Sequence, residues 1–303
     1  MDISFIKTEN PNAEQWKLLL QYSYLTNIHK FLEERGSTSD ERTVNYIAGC
    51  IQQSEQYFHA FKSSSLDISP LLLYYGLTNL LAGASALLTG HILKIDEHGL
   101  VTLKSDKRLS RIGDLLIKPV NSASGALQQF ANVFSDHCPL VPNSDKWSLI
   151  EILSSIPDLK NDFSNCYKDF PPFTVPTEVI RKPKFSFERI DPKEVQARPE
   201  FIKNINKDIL NFDQAYHEPQ ISQQMSRIAL YRKINGPDIG VYSIFGQKHL
   251  QIAHQKQSKL LSPSQLILMF MGLYTLGFVS RYNPDIWNPF VRNDITGERL
   301  VIE

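Results

Sequence analysis

Ser69-Pro70-Leu71-Leu72-Leu73-Tyr74-Tyr75-Gly76-Leu77-Thr78-Asn79-Leu80-Leu81, continued in apolar residues to Leu88, decides the fold class of this chain. Serine can cap a helix through its hydroxyl, and proline at the first helical position gives up no amide that the helix would use. The run is about as long as a bilayer span requires. It nevertheless carries an amide side chain, Asn79, near its centre and has no basic residue in its own flanks to set an orientation. Thr78, Ala82, Ser85 and Thr89 form a stripe of small residues along which another helix can approach closely. The reading is a buried core helix, with Asn79 hydrogen-bonded inside the protein. A second apolar helix opens at Ser262-Pro263 and runs from Leu266 to Val279, with Gly272 and Thr275 on its small face. It is too short to span a bilayer, so the two Ser-Pro helices are expected to pack together at the centre.

Outward from that pair, the first sixty residues or so read as two amphipathic helices. One follows Asn12, with Trp16, Leu20, Tyr24, Ile28 and Phe31 near helical spacing, and ends at Gly36. The other opens with Thr38-Ser39-Asp40-Glu41, a capping-box pattern, and places Val44, Ile47, Ile51, Phe58 and Phe61 on one stripe. Residues 92–103 read as a β-hairpin turning at Asp96-Glu97-His98-Gly99, and helices around Leu127 and around Ile150 complete a helical region over 1–156. Seven prolines between 157 and 199 argue for an ordered crossing or a linker without a long helix or a central strand, in which Phe185–Ile190 can form a short edge strand. In 200–303 a helix carrying Phe201, Ile202, Ile205, Ile209 and Phe212 precedes alternating segments between 228 and 257, which read as a small antiparallel sheet. The expected fold is mainly α with a small antiparallel β-sheet (α+β), and 200–303 packs with the first region as one domain.

The 303 residues, 42% apolar and 21% charged, fit a globular protein. Thirty-two basic and thirty-two acidic side chains cancel, so no global field steers the chain to DNA or anionic lipid. Cys50, Cys138 and Cys166 are odd in number and far apart, which excludes a disulfide framework. The Met1-Asp2-Ile3-Ser4-Phe5 start lacks the basic and apolar regions of a secretory signal, so the expected location is the cytoplasm, without a membrane. The sequence holds no Gly-x-x-x-x-Gly-Lys phosphate loop, Gly-x-Gly-x-x-Gly, His-Glu-x-x-His or Gly-x-Ser-x-Gly. No cofactor and no catalytic residue is assigned.

Local patterns offer more. His249 and His254, an odd spacing apart, fall on opposite faces of a strand and read as solvated side chains, not metal ligands. Asp96, Glu97 and His98 read as a polar turn, and no metal site is assigned. The pairing of Asp158 with Asp191-Pro192-Lys193 imitates a nuclease pattern, but proline within it removes a ladder amide. Between 224 and 260 Arg227, Arg232, Lys233, Lys248, Lys256 and Lys259 face a single acid, Asp238, with aromatic residues interleaved. Arg232 and Lys233 are therefore candidate contacts for phosphate or single-stranded nucleic acid, against the simpler reading of a solvated basic face. After the second apolar helix, Arg281-Tyr282-Asn283-Pro284-Asp285-Ile286-Trp287 presents two readings. In one, an Arg281–Asp285 pair over Trp287 caps the helix. In the other, Arg281, Tyr282, Asp285 and Trp287 form a pocket in which arginine binds an anion and aromatic rings stack a base.

The run at 69–80, His98-Gly99-Leu100 and Ser280-Arg281-Tyr282-Asn283-Pro284-Asp285-Ile286-Trp287 resemble, in that order, blocks of the YaaC-like family. The resemblance covers roughly residues 40–105 and 220–290. It implies a mostly helical cytosolic protein of prokaryotes or their viruses, with no established reaction and a conceivable place in defence against phage. It also implies a loose likeness to the helical HEPN ribonucleases. Their signature, an arginine and roughly four to six residues later a histidine, occurs nowhere here. The expected function is a non-enzymatic binding or scaffold protein: a subunit of a complex or homo-oligomer, or a sensor of nucleotide or single-stranded nucleic acid. The alternative is a divergent HEPN-like ribonuclease.

Overall fold

The run that decides the fold class is a 21-residue helix, Ser69–Thr89, ended by Gly90 in the left-handed region at φ 76°. The computed structural model describes residues 8–103, 111–120, 122–134, 146–170, 172–182, 185–190, 212–217, 228–233, 241–243, 246–251, 264–294 and 296–303. In chain order the helices are α1 (Pro11–Leu20), α2 (Leu25–Glu34), α3 (Glu41–Phe61), α4 (Ser69–Thr89), α5 (Ala126–Phe134), α6 (Leu149–Ser154), α7 (Lys160–Cys166), α8 (Gln265–Tyr282), α9 (Pro284–Asn293) and α10 (Arg299–Ile302). The strands are β1 (Leu100–Leu103), β2 (Leu116–Pro119), β3 (Trp147–Ser148), β4 (Thr174–Lys182), β5 (Phe185–Ile190), β6 (Phe212–His217), β7 (Ile228–Lys233), β8 (Val241–Tyr242) and β9 (Lys248–Gln251). The protein is mostly helical with antiparallel sheets, the α+β class its sequence indicates.

The two apolar helices meet as expected. A Cβ added at Gly277 of α8 would stand 3.5 Å from the Pro70 carbonyl oxygen and from Tyr74 Cβ, so the helices run close at that point. Leu77 and Leu81 of α4 share a core with Ile267, Phe270 and Met271 of α8 and with Leu127 and Phe130 of α5. Asn79 donates to the Tyr75 carbonyl at 2.9 Å, so its amide is satisfied within its own helix. By length and apolarity alone α4 would also pass for a membrane span, but half of its apolar window is buried.

Helix α3 lies along another side of α4. The contact is not made along the Thr78–Thr89 stripe alone. At Gly83 an added Cβ would fall 2.8 Å from Cys50 Cβ, and at Gly76 it would fall 3.1 Å from the Phe58 ring. Gly83→Ala should therefore cost about 1–3 kcal/mol through overpacking. A urea midpoint that falls with an unchanged slope would show it.

Several boundaries differ from the sequence reading for local reasons. The first helix is two: Tyr24 is extended at φ −100°, ψ 123°, and the Ser23 hydroxyl bonds the Leu20 carbonyl, interrupting the helix between α1 and α2. The cap of α3 is Asp40, whose carboxylate accepts the Thr43 amide at 2.8 Å, while Ser39 is drawn off to donate to the Gly90 carbonyl. A capping box forms elsewhere, between Ser148 and Glu151 at the start of α6.

The 92–103 hairpin does not form. β1 pairs instead with β2, and β2 with β3, in a three-stranded antiparallel sheet. The segment before β1 is taken up by the approach to α5: Asp96 N–H bonds the Ser124 carbonyl and Ala126 N–H bonds the Glu97 carbonyl.

The proline-rich stretch holds more regular structure than expected up to Ile190; residues 191–199 lie outside the described residues. It contains α7, β4 and β5, and β4 occupies an inner place in a six-stranded antiparallel sheet of order β6-β7-β5-β4-β9-β8. Pro176 is tolerated because β4 changes partner there. Thr174–Pro176 pair with β9, and pairing with β5 starts at Thr177, so the missing amide falls where one ladder hands over to the next. Phe185–Ile190 lies between β4 and β7 and is no edge strand. Phe212 opens strand β6 instead of ending a helix, and residues 200–211 lie outside the described residues.

A second core joins the first region to the C-terminal end. Ile112, Leu149, Phe163 and Tyr167 pack with Val279, Trp287 and Phe290. Glu298, only 1% exposed, fastens the end of the chain into it. Its carboxylate accepts the amides of Ile112 at 3.0 Å and Gly113 at 2.8 Å, together with the hydroxyls of Tyr167 and Thr296.

Candidate functional site

Among the candidates, the structure gathers chemistry around Arg281. It is the basic residue in the last turn of α8, where a cation suits the helix dipole. Its guanidinium does not pair with Asp285. One nitrogen donates to the Tyr75 hydroxyl at 2.6 Å and the other to the Tyr282 hydroxyl at 2.6 Å. The charge also lies 4.7 Å from the Tyr282 ring centroid and 6.0 Å from that of Tyr75. Arg281 remains exposed, and Tyr282 is 58% exposed although its ring also packs against Phe278 at 5.0 Å, so both side chains are open to solvent.

The neighbouring turn of α4 adds a second group. Tyr74 is buried, and its hydroxyl sits 2.6 Å from Nδ1 of His98. His98 is delivered there by the chain before β1: Leu127 N–H bonds the His98 carbonyl, and Gly99, at φ 72°, lies so close to Gly125 that an added Cβ would stand 3.2 Å from its Cα. The imidazole leans on the Tyr74 and Tyr274 rings at 5.6 and 5.5 Å, while the residue stays open to solvent. Tyr274 is itself fixed by donating to the Leu100 carbonyl at 2.9 Å. Partial burial, together with the charge of Arg281, depresses the His98 pKa, and Glu97 only partly opposes this. Burial pushes the hydroxyls of Tyr74 and Tyr274 up, so both keep their protons.

The other sequence candidates are placed differently. Tyr282 belongs to the cluster. Asp285 is exposed in the first turn of α9, where an acid suits the helix N-terminus. Trp287 is 1% exposed and packs tilted against Phe290 at 5.2 Å in the second core, so it is a core residue and no base-stacking surface. Arg232 and Lys233 lie in β7 opposite Glu188 and Phe187, and their side chains are outside the described residues. His249, read as solvated, is 4% exposed in β9, and His254 is outside the described residues. Among the described residues no group of His, Cys, Asp and Glu is arranged to hold a metal ion. A cleft of about 180 Å³ lined by Phe61, Leu66, Leu73, Leu273 and Ile302 is mostly apolar, with Glu303 also on its wall. The Ser64 and Ser69 hydroxyls at its edge bond one another and nearby carbonyls.

Sequence reasoning missed Tyr74, Tyr75 and His98 as site residues. The available signal was two adjacent tyrosines in an otherwise aliphatic helix, since a buried tyrosine needs a partner for its hydroxyl. Tyr74 and Tyr75, His98, and Arg281 with Tyr282 come from the three separate blocks that carry the family resemblance, and they converge on one face. A family model described as YaaC-like Protein matches residues 8–303. The chain belongs to the YaaC-like family. The match runs through the middle of the chain as well as the blocks at either side. No curated protein and no solved structure matches this YaaC-like chain.

Proposed function

We propose that this YaaC-like protein is a non-enzymatic, cytoplasmic binding protein, a subunit of a complex or a sensor, whose Arg281 face takes the phosphate of a nucleotide or single-stranded nucleic acid. The observation that carries the reading is the exposed guanidinium held in a fixed plane by the Tyr75 and Tyr282 hydroxyls beside an exposed ring. Arginine in such a plane suits bidentate recognition of phosphate, and tyrosine offers a stacking surface that tolerates any base.

Arg281→Ala should lower affinity for a short single-stranded RNA roughly 10–100-fold, the worth of a charge-assisted hydrogen-bonded contact. Stability should fall by no more than about 0.3–1 kcal/mol, the worth of a cation at a helix end. Arg281→Lys keeps the charge but not the planar fork and should recover only part of the affinity. Fluorescence anisotropy at two salt concentrations measures this, and binding unchanged in both variants would end the reading. A second reading, a divergent ribonuclease, draws on Arg281 and His98 sharing one face. Turnover of RNA by the wild type, lost in His98→Ala, would establish it.

A further inference from the structure

The contact between the Tyr74 hydroxyl and His98 Nδ1, 2.6 Å long, has a direction. A phenol is the better donor of the two groups and a neutral imidazole nitrogen the better acceptor, so the shared hydrogen belongs to the oxygen. Burial of Tyr74, 5% exposed, keeps that hydroxyl protonated. When Nδ1 accepts, the single proton of the neutral ring must sit on Nε2, because the bond at one nitrogen sets the state of the other.

We propose that Tyr74 is a positioning residue that holds His98 as the neutral Nε2–H tautomer, so that the face shared with Arg281 offers donors and takes a phosphodiester, an acceptor-only anion. The ligand class rests on the phosphate reading above; the role of Tyr74 does not. Arg281 contributes the N–H groups that the tyrosines leave unused. The Tyr75 and Tyr282 hydroxyls accept from Arg281, which leaves their own protons free to donate to a ligand. His98 adds a donor without adding charge. The groups that face it are the Tyr74 and Tyr274 rings, Arg281, and Glu97 on its own segment, and the balance of burial and the arginine charge against Glu97 favours the uncharged ring. A protonated Nε2 cannot accept the proton of an RNA 2′-hydroxyl, so this tautomer argues against His98 as the base that the ribonuclease reading requires.

Nitrogen-15 spectra of the imidazoles in the full chain, with His98 assigned through His98→Gln, test the proposal. The expected result is a neutral Nε2–H ring at pH 7 that titrates below the ordinary histidine value. Tyr74→Phe should raise that midpoint and shift Nδ1 away from its hydrogen-bonded position. A wild-type ring protonated on Nδ1 would overturn the proposal, as would a Tyr74→Phe variant whose His98 signals do not move. If Tyr74→Phe does not fold, the wild-type Nδ1 signal decides: a position shifted by an accepted hydrogen bond supports the role of Tyr74, and that of a free ring nitrogen overturns it. Addition of a dinucleoside monophosphate should then move the Nε2–H signal. Absence of that movement with the tautomer intact overturns the phosphodiester assignment and leaves the role of Tyr74 standing.

Discussion

Glu298→Ala destabilises this protein by about 3–5 kcal/mol, because it removes at once the acceptor of three buried donors and of the part-buried Thr296 hydroxyl. Two of those donors are main-chain amides, Ile112 on one carboxylate oxygen and Gly113 on the other, and neither can turn away. The hydroxyls of Tyr167 and Thr296 can rotate toward other acceptors. Glu298→Gln separates shape from chemistry. Glutamine keeps the volume, but whichever way its amide is placed, its NH2 faces one of the two fixed N–H groups. The cost should be about 1–3 kcal/mol, between that of alanine and of the wild type. Tyr167→Phe deletes one rotatable donor and leaves both amides satisfied, so it should cost about 1 kcal/mol. Urea unfolding of the three variants gives the order Ala, Gln, Phe. A glutamine variant as stable as the wild type would show that the carboxylate does not fasten the chain end.

The pairing of the two apolar helices was legible because each is a long, mostly apolar run. The expected starts were less so: Ile68, not Ser69, is the N-cap of α4 while the Ser69 hydroxyl donates to the Ser65 carbonyl, and Ser262-Pro263 lies outside the described residues. The six-stranded sheet was half legible. Alternation marks β7 and β9, but the rule that proline is excluded from inner strands misled at β4, since it presumes one partner along the whole strand. Pro176 falls where the partner changes. The hairpin at 92–103 failed for a non-local reason: the backbone groups of Asp96, Glu97 and His98 are claimed by residues 124–127 across a chain segment no local pattern connects to them. The candidate site divides in the same way. Arg281 and Tyr282 were readable from a cation and a ring at a helix end. Trp287 follows them in sequence, yet the turn at Asn283-Pro284 redirects it into the second core. Tyr74, Tyr75 and His98 reach the site only because α4, α8 and the segment before β1 pack together, which the spacing of residues does not encode.

That packing makes Phe270 the residue on which core and site both depend. Its ring is fully buried, 5.5 Å from the Tyr74 ring on one side and 5.4 Å from Phe130 on the other, so it joins α8 to α4 and α5. Phe270→Ala should cost about 3–5 kcal/mol, the transfer free energy of the ring plus the cavity it leaves. The effect should reach the surface as well. Tyr74 loses the ring against which it rests, its hydroxyl is held less firmly on Nδ1, and the His98 titration should drift up toward the ordinary value. Phe270→Leu fills most of the volume, so it should recover much of the stability and return the His98 midpoint toward that of the wild type. Urea midpoints and the histidine titration, measured on the same samples, test both halves together. An alanine variant within about 1 kcal/mol of the wild type would remove the α4–α8 contact from the core, since a fully buried ring cannot be deleted so cheaply. A large loss of stability with an unmoved His98 midpoint would confine Phe270 to the core and show that Tyr74 is held by Tyr274 and its own helix.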